Sequence, residues 1–233
     1  MTLRYSCHPR RKTALQTQRG FSLIEIAVVL MVIGALLGGL ILPLASQQDA
    51  SKRRETAQLL DDIEAALLGF AAANGRLPCP ATAGSAGQAA PNAATTGCTT
   101  WSGFVPARTL GVAGPVDGNN LLIDRWLRPI RYSLSSAQGG IYASAVPLNP
   151  TPDLVICPDN TCATPIADQV VAVVISQGEN LANSADQAEN TDGDVRYVTR
   201  TESEAAGNEF DDSLRWISPN TLVYQLVRAG RVN

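Results

Sequence analysis

One long apolar stretch constrains what this chain can fold into. From Phe21 to Leu42 the sequence contains a single charged residue, Glu25. At about 1.5 Å per residue, a helix over this stretch is about 33 Å long, and a bilayer core is about 30 Å thick. The stretch therefore predicts a transmembrane helix.

Glu25 is costly inside such a helix. A carboxylate costs about 2.5–3.5 kcal/mol at mid-bilayer and less near the interface, so we expect a partner charge. A cut after Gly20 would supply one, because the new amine at Phe21 would lie one helical turn from Glu25, or beside Glu25 of a neighbouring chain. The residues before the cut are basic, with no acid among them: Arg4, Arg10, Arg11, Lys12 and Arg19.

Residues Gly20 to Glu25 read Gly-Phe-Ser-Leu-Ile-Glu. They resemble the end of the leader in the type IV prepilin and pseudopilin family, Gly-Phe-[Ser/Thr]-Leu-[Ile/Leu]-Glu. The resemblance implies that prepilin peptidase cuts between Gly20 and Phe21 on the cytoplasmic face and methylates the Phe21 amine. It also implies that Glu25 pairs with this amine on an adjacent subunit during filament assembly. The alternative is an ordinary signal anchor with a stray glutamate; a secretory signal peptide fits poorly, because the cleavage motif precedes the apolar stretch.

The charge balance limits the partners of the chain. The net charge is −3, and removing the five positive charges of the leader leaves −8. Nucleic-acid binding favours a basic face, so we expect no nucleic-acid partner. The basic leader favours a cytoplasmic N-terminus, whereas Lys52-Arg53-Arg54 beyond the helix opposes it. A single pass through the inner membrane, with the C-terminal domain in the periplasm and later in the filament, therefore rests on the resemblance.

The cysteines suit an oxidising compartment. Cys7 leaves with the leader, and an even number remains beyond the apolar stretch: Cys79, Cys98, Cys157 and Cys162. We pair Cys79 with Cys98 and Cys157 with Cys162 because each pair closes a local loop, although other pairings exist. A zinc site made of all four is the alternative, and only the spacing from Cys157 to Cys162 approaches that of a zinc site.

The helix is predicted to continue beyond the apolar stretch. From Ser46 to Ala73, apolar residues recur at helical spacing, and Asn74-Gly75 ends the helix. The stripe would lie on a sheet and comprises Leu59/Leu60, Ile63, Leu67 and Phe70/Ala71. The predicted organisation is a leader (1–20), a transmembrane and filament-core helix (21–43), its amphipathic continuation (44–75) and a periplasmic globular domain (76–233).

The globular domain is predicted to contain a small sheet. Residues 80–100 contain few apolar side chains that could be buried, so we predict a surface loop that the Cys79–Cys98 disulfide closes. Asp124–Ser135 resembles the Asp-x-Trp-Gly-x-Pro-x-x-Tyr element that precedes the first strand of pseudopilin sheets, with Leu127 in place of the glycine, which puts the turn geometry in question. Trp126 and Tyr132 are interpreted as core aromatics. Further strands are predicted at Gly140–Val146, Leu154–Cys157, Val170–Ser176 and Asp212–Ser218, with Val170–Ser176 central and buried on both faces.

Residues 178–212, here named the acidic segment, contain ten acids and two arginines and are predicted to be the least structured part. Asn190-Thr-Asp192-Gly-Asp194 partly resembles a calcium loop, but no Glu completes the EF-hand spacing. Some pseudopilins bind calcium in the C-terminal domain, so calcium stays an alternative to a solvated loop without a cofactor. Beyond the segment, Ser218 and Pro219 predict the N-cap and first residue of a short helix that Gly230 ends.

No catalytic constellation is evident. The single histidine, His8, leaves with the leader, which excludes histidine-based triads and histidine metal sites from the mature chain. The chain is therefore predicted to be the substrate of an enzyme and not an enzyme. We expect an α+β, type IV pilin-like fold: a long N-terminal transmembrane helix packed on a small, mainly antiparallel sheet, with extended loops and a short C-terminal helix.

The expected function is that of a structural subunit, a pseudopilin or minor pilin, in a type II secretion pseudopilus or a type IV pilus. The expected partners are prepilin peptidase, other pilin or pseudopilin subunits, the inner-membrane assembly platform and the lipid bilayer. The alternative is a membrane-anchored periplasmic binding or adhesion domain that has a pilin-type leader but does not polymerise.

Overall fold

The computed structural model describes residues 20–95, 97–181 and 184–231, with the backbone alone for residues 37–46. Except for Gly20, the predicted leader lies outside the described residues, and so do Cys7 and His8. The chain divides into two compact units, one ending at Gln48 and the other beginning at Asp49.

The first element is helix α1, which covers Leu23–Asn74. It ends where the sequence predicts, because Gly75 takes a left-handed backbone (φ +70°) and its amide donates to the carbonyl of Ala71 at 2.7 Å. Within the described part of the chain, no helix combines the length and the apolar composition needed to cross a membrane. The transmembrane assignment of residues 21–43 thus stays a prediction.

The later part of α1 buries one face. Leu60, Ile63, Leu67 and Ala71 are fully buried, at the alternating three- and four-residue spacing that places side chains on one side of a helix. The alternatives Leu59 and Phe70, which the sequence left open, are only partly buried. The predicted amphipathic stripe is therefore confirmed, with its register now fixed.

Seven strands follow among the described residues: β1 (Ser102–Phe104), β2 (Arg131–Leu134), β3 (Leu154–Cys157), β4 (Ala167–Val170), β5 (Ala172–Ser176), β6 (Arg196–Val198) and β7 (Ser213–Ile217). Strands β1, β2, β5 and β7 form an antiparallel sheet in that order. A second sheet has the order β4, β3, β6, in which β3 is antiparallel to β4 and parallel to β6. The described fold is thus α+β, with two sheets where one was predicted.

Strand β5 lies between two hydrophobic clusters. Ala172 and Val174 share a core with the buried stripe of α1, whereas Val173 and Ile175 pack with β3 and β6 of the second sheet. Because successive side chains of a strand point to opposite faces, the first sheet is covered on both sides. The predicted central, doubly buried strand is confirmed from Ala172 onward, although its predicted first residue, Val170, ends β4 instead.

One predicted strand, Gly140–Val146, is wrong. The chain there makes two short helical turns, α3 (Ala137–Gly140) and a 3₁₀ turn (Ile141–Ala143). Helix α2 lies earlier in the chain, at Ala107–Leu110. Gly139 and Gly140 have φ values of +70° and +74°, which an extended strand does not contain. Tyr142 is nevertheless fully buried, so the apolar run that suggested a strand reflects burial and not extended backbone.

The prediction that the acidic segment is the least structured part is also wrong. It contains helix α4 (Ala185–Glu189), strand β6 and a bridge between Ser203 and Phe210. Its composition is polar, but several of its polar side chains are buried and paired with one another. Composition alone does not reveal such pairing.

The turn before β2 keeps a conformation that favours glycine, although this chain has Leu127 there. Asp124 is buried, and its carboxylate accepts from the amides of Trp126 (2.8 Å) and Arg128 (2.9 Å). Leu127 has φ +65°, the left-handed conformation that favours glycine. Tyr132 is fully buried as predicted and donates to the carbonyl of Pro78 at 3.1 Å, whereas Trp126 is only partly buried.

The predicted short helix after the sheets is α5 (Pro219–Arg228). The Ser218 side chain accepts from the amide of Thr221 at 3.2 Å, which confirms the N-cap. Leu222 and Leu226 are buried, and Gly230 follows with φ +66°. Val227, by contrast, is 55% exposed, so the buried face of α5 is narrow.

Candidate functional site

The predicted cleavage site lies just before helix α1. Gly20, Phe21 and Ser22 have non-helical backbone and are exposed. The carbonyl of Ser22 accepts from the amides of Glu25 (3.0 Å) and Ile26 (3.2 Å), so the helical hydrogen bonds begin after the bond between Gly20 and Phe21. A peptide bond that is exposed and outside a helix can enter a peptidase site without prior unwinding.

Glu25 occupies the first turn of the same helix and is exposed. Its carboxylate is near the positive end of the helix dipole, which favours a negative charge. Because Glu25 is exposed, it is accessible both to an amine created at Phe21 and to a group on another chain.

Residues 21–36 present apolar side chains on all sides of the early part of α1. Eleven large apolar residues are each at least 45% exposed: Phe21, Leu23, Ile24, Ile26, Val28, Val29, Leu30, Met31, Val32, Ile33 and Leu36. Residues 28–33 are consecutive and cover more than one full helical turn. A helix that is apolar all round requires an apolar environment on every side, which either lipid or a bundle of like helices supplies.

The four described cysteines form the two predicted disulfides. Cys79 pairs with Cys98 and Cys157 pairs with Cys162. All four thiols that a zinc site would need are in disulfides, so the zinc alternative is wrong. The first bridge closes the polar loop between α1 and β1, and the second closes a tight turn after β3.

Three ion pairs join the later part of α1 to the surrounding loops and strands. Arg53 pairs with Glu202, Glu55 with Arg125, and Asp61 with Arg215, the last at 2.5 Å. All these side chains are partly exposed, and such pairs typically contribute about 0–1 kcal/mol each. Their effect is to orient the acidic segment and the turn before β2 relative to this face of the helix.

The partial calcium loop is not formed in the way the sequence suggested. Carboxylate oxygens of Glu189, Asp192 and Asp194 lie within 4.8 Å of one another. However, the guanidinium of Arg196 contacts Glu189 at 2.9 Å and Asp194 at 3.5 Å, and so already supplies a positive charge. Asn190, the first residue of the motif, is buried and bonded elsewhere.

A buried polar group lies inside the acidic segment, where the sequence predicted a solvated loop. Gln187, Asn190, Asp211 and Asp212 are all buried and are hydrogen-bonded to one another or to backbone. Burial is the main cause that raises the pKa of Asp212 to about 7, and the neighbouring Asp211 charge adds to it. The sequence gives no signal for this group, because Asp211 and Asp212 end a run of acids that resembles a solvated loop.

The N-terminal region matches a known family model. A family model described as the prokaryotic N-terminal methylation motif matches residues 15–41, which include Gly20, Phe21 and Glu25. No curated protein and no solved structure matches the chain significantly. The chain therefore carries, at residues 15–41, the N-terminal methylation motif that is the leader signature of type IV prepilins and pseudopilins.

Proposed function

We propose that the chain is a structural subunit, a pseudopilin or minor pilin, of a type II secretion pseudopilus or a type IV pilus. The observation that carries the proposal is the methylation motif at residues 15–41, which supports a pilin- or pseudopilin-type substrate of prepilin peptidase. On this proposal the peptidase cuts between Gly20 and Phe21 and methylates the Phe21 amine. The exposed, non-helical backbone at these residues supports cleavage there.

The exposed apolar helix supports an anchoring and assembly role. Before assembly, we propose that the helix lies in the inner membrane with the second unit in the periplasm. During assembly the helix leaves the lipid and packs in a bundle of like helices. Both environments are apolar, so the exchange leaves no exposed apolar surface in water.

Glu25 would set the register of that bundle. An unpaired carboxylate among apolar helices is costly, and pairing it with the positive Phe21 amine of an adjacent subunit offsets that cost. A subunit shifted along the axis would leave both charges unpaired. The charge pair therefore favours one axial position.

The rest of the chain supports the same proposal. A long helix that buries its later part against a sheet is consistent with a type IV pilin-like α+β fold. We further propose that the chain has no catalytic activity of its own, because the sequence after the leader contains no histidine and no nucleophile motif. Its partners would then be the peptidase, like subunits and the inner-membrane assembly platform.

The direct test is intact mass and N-terminal sequence of the protein from membranes of cells with and without prepilin peptidase. We expect a mature chain that begins at N-methyl-Phe21 and, because it contains two disulfides, is four hydrogens lighter than the fully reduced chain. An uncut chain in cells with active peptidase, or a cut beyond the apolar stretch, would refute the proposal.

Two substitutions separate processing from assembly. Gly20→Ala should block cleavage and leave a precursor band at unshifted mass. Glu25→Ala should be cleaved normally but enter filaments poorly. Asp62→Ala, which removes an exposed acid elsewhere on α1, is the matched control and should assemble normally. Normal incorporation of the Glu25 variant would contradict the charge-pair mechanism.

The non-polymerising alternative predicts a different outcome of the same experiment. An anchored binding or adhesion domain would be cleaved and methylated but would not co-purify with a filament. Cleavage together with filament co-purification supports the subunit proposal, and cleavage without co-purification supports the alternative.

A further inference from the structure

Helix α5 has an exposed, basic outer side. Tyr224 and Val227 are 59% and 55% exposed, and Arg228 is exposed on the same side, because positions three and four apart are neighbours on a helix. The guanidinium of Arg228 lies over the Tyr224 ring, 5.6 Å from its centroid. Arg231 is exposed just beyond the end of the helix. These four residues are here named the basic face.

Among the described residues, no acid pairs with the basic face. Helix α5 contains no aspartate or glutamate, and the side chains of Arg228 and Arg231 take part in none of the ion pairs of the described chain. Tyrosine and arginine are enriched in protein interfaces, where the ring supplies apolar area and the guanidinium pairs with carboxylates. The basic face is therefore suited to a partner surface with exposed carboxylates.

A cavity of about 570 Å³ in the same unit has the opposite charge and is here named the acidic cavity. Four acids and one arginine are among its lining residues: Glu179, Glu202, Glu204, Asp211 and Arg53. Arg53 pairs with Glu202, and Asp211 is buried and bonded to backbone amides. Glu179 and Glu204 are exposed and form no ion pair in the part of the chain that the structure describes. Their carboxylates are therefore open to a basic partner.

The two surfaces lie at opposite ends of α1 within the second unit. The acidic cavity includes Arg53, near the start of the unit at Asp49. Arg231 of the basic face lines a separate cavity together with Asn74 and Gly75, where α1 ends. The stretch of α1 from Arg53 to Asn74 is about 32 Å long at about 1.5 Å per residue. A second copy displaced along the axis of α1 would thus bring its acidic cavity towards the basic face of the first copy.

We propose that the basic face of one copy docks in the acidic cavity of a second copy, so that the second units stack head to tail along the axis of α1. Charge complementarity selects this occupant, because Arg228 and Arg231 lack acidic partners and Glu179 and Glu204 lack basic ones within the described chain. The contact joins two different surfaces, so each copy keeps one free surface at either end of the stack. Such a heterologous contact forms an open series wherever the rotation between copies does not close a ring.

This inference rests on the proposed function, because it names the surfaces through which the proposed filament subunits would contact one another outside the apolar helices. The charge pair of Glu25 and Phe21 lies in the first unit, whereas the basic face and the acidic cavity lie in the second. The two contacts can therefore be perturbed separately.

Photocrosslinking of the full chain in cells with active prepilin peptidase tests the contact. A photoreactive benzoylphenylalanine replaces Val227, whose side chain is mostly exposed and lies in the basic face. We expect a crosslinked dimer in which mass spectrometry places the second end of the link within residues 202–211 of the other copy. The same photoreactive residue in place of Ile166, which is 52% exposed and lies outside both surfaces, is the matched control and should not link to residues 202–211.

Charge reversal with rescue provides the second measurement. Reversing the basic face by Arg228→Glu with Arg231→Glu should lower the yield of this crosslink at least about fivefold, because attraction is replaced by repulsion. Reversing the cavity by Glu179→Lys with Glu204→Lys should do the same, and all four substitutions together should restore the yield. A loss of folding would not be restored by adding two more substitutions. An unchanged yield in either double variant, or no recovery in the fourfold variant, would overturn the proposal.

The matched control for the cavity reversal is a reversal of two other exposed acids, Asp62→Lys with Asp168→Lys. Neither residue lines the acidic cavity, and the net charge changes by the same amount. This variant should retain the crosslink yield of the wild type. An equal loss in this control would show that the yield follows net charge and would refute the specific contact.

The outcomes also separate this contact from the proposed function. Filaments that contain the mature chain, but in which position 227 links to another surface or to none, would refute the contact and leave the proposed function intact. A link from position 227 into the acidic cavity in membranes without filaments would support the contact and refute the filament role. Absence of both the link and the filaments would refute both.

Discussion

Leu127 tests whether a left-handed backbone conformation lowers the stability of this protein, because a leucine occupies a conformation that favours glycine. Its φ is +65° and its side chain is 76% exposed. A left-handed conformation costs a residue with a Cβ about 1–2 kcal/mol, and a glycine avoids that cost. We therefore expect Leu127→Gly to stabilise the protein.

The size of the gain follows from two opposing terms. Glycine loses about 0.5–1 kcal/mol more chain entropy on folding than a residue with a side chain, which offsets part of the relief. Because the leucine is mostly exposed, its truncation removes little packing. The net expectation is a gain of about 0.5–1 kcal/mol, or about 1–4 °C in the melting temperature of a domain of this size.

The assay is thermal unfolding of the full chain in detergent for the wild type, Leu127→Gly and Leu127→Ala. Alanine also truncates the side chain but keeps the Cβ, so it should not gain stability. The reasoning is refuted if the glycine variant melts no higher than the alanine variant. In that case the turn does not hold residue 127 in the left-handed region, because both variants lose the leucine side chain and differ only in the Cβ.

Three further outcomes are expected. Replacing Cys79 and Cys98 by serine should lower the free energy of unfolding by about 3 kcal/mol, as denaturant titration would show, because the bridge closes a loop of about 20 residues. Ser218→Ala should cost about 0.5–2 kcal/mol by loss of the N-cap of α5, whereas Ser218→Asp should keep most of the stability in the same titration. Millimolar calcium should shift the melting temperature by less than about 1 °C, because Arg196 already contacts Glu189 and Asp194, two of the three neighbouring acids; a rise of several degrees would show a cation site there.

The features that the sequence predicted well are local or periodic. The buried stripe of α1 repeats at helical spacing, the cap at Ser218 and the stops at Gly75 and Gly230 are short-range signals, and each is present in the structure. The disulfides were also predicted, since each joins cysteines close in sequence. These patterns are visible in sequence because backbone geometry within one or two turns determines them.

The features that the sequence predicted wrongly depend on contacts with residues that are distant along the chain. Within the run at 140–146, Tyr142 and Ala143 are buried in the core that contains the stripe of α1, although the chain there makes a helical turn and not a strand. The described residues of the acidic segment include helix α4 and strand β6, and Asn190 hydrogen-bonds to both Val198 and Asp212. Composition gives the polarity of these residues but not the groups that pair with them.

The sequence by itself determined the N-terminal motif, since the motif is defined by the identity and spacing of residues along one chain segment, including Gly20, Phe21 and Glu25. Only the tertiary structure decided which acids are solvated and which are buried. Asp192 and Asp212 are the same residue type in the same segment, yet Asp192 is exposed and Asp212 is buried beside Asp211. The physical reason is that the electrostatic environment of a side chain depends on the residues that surround it in space, and the order of residues along the chain does not reveal them.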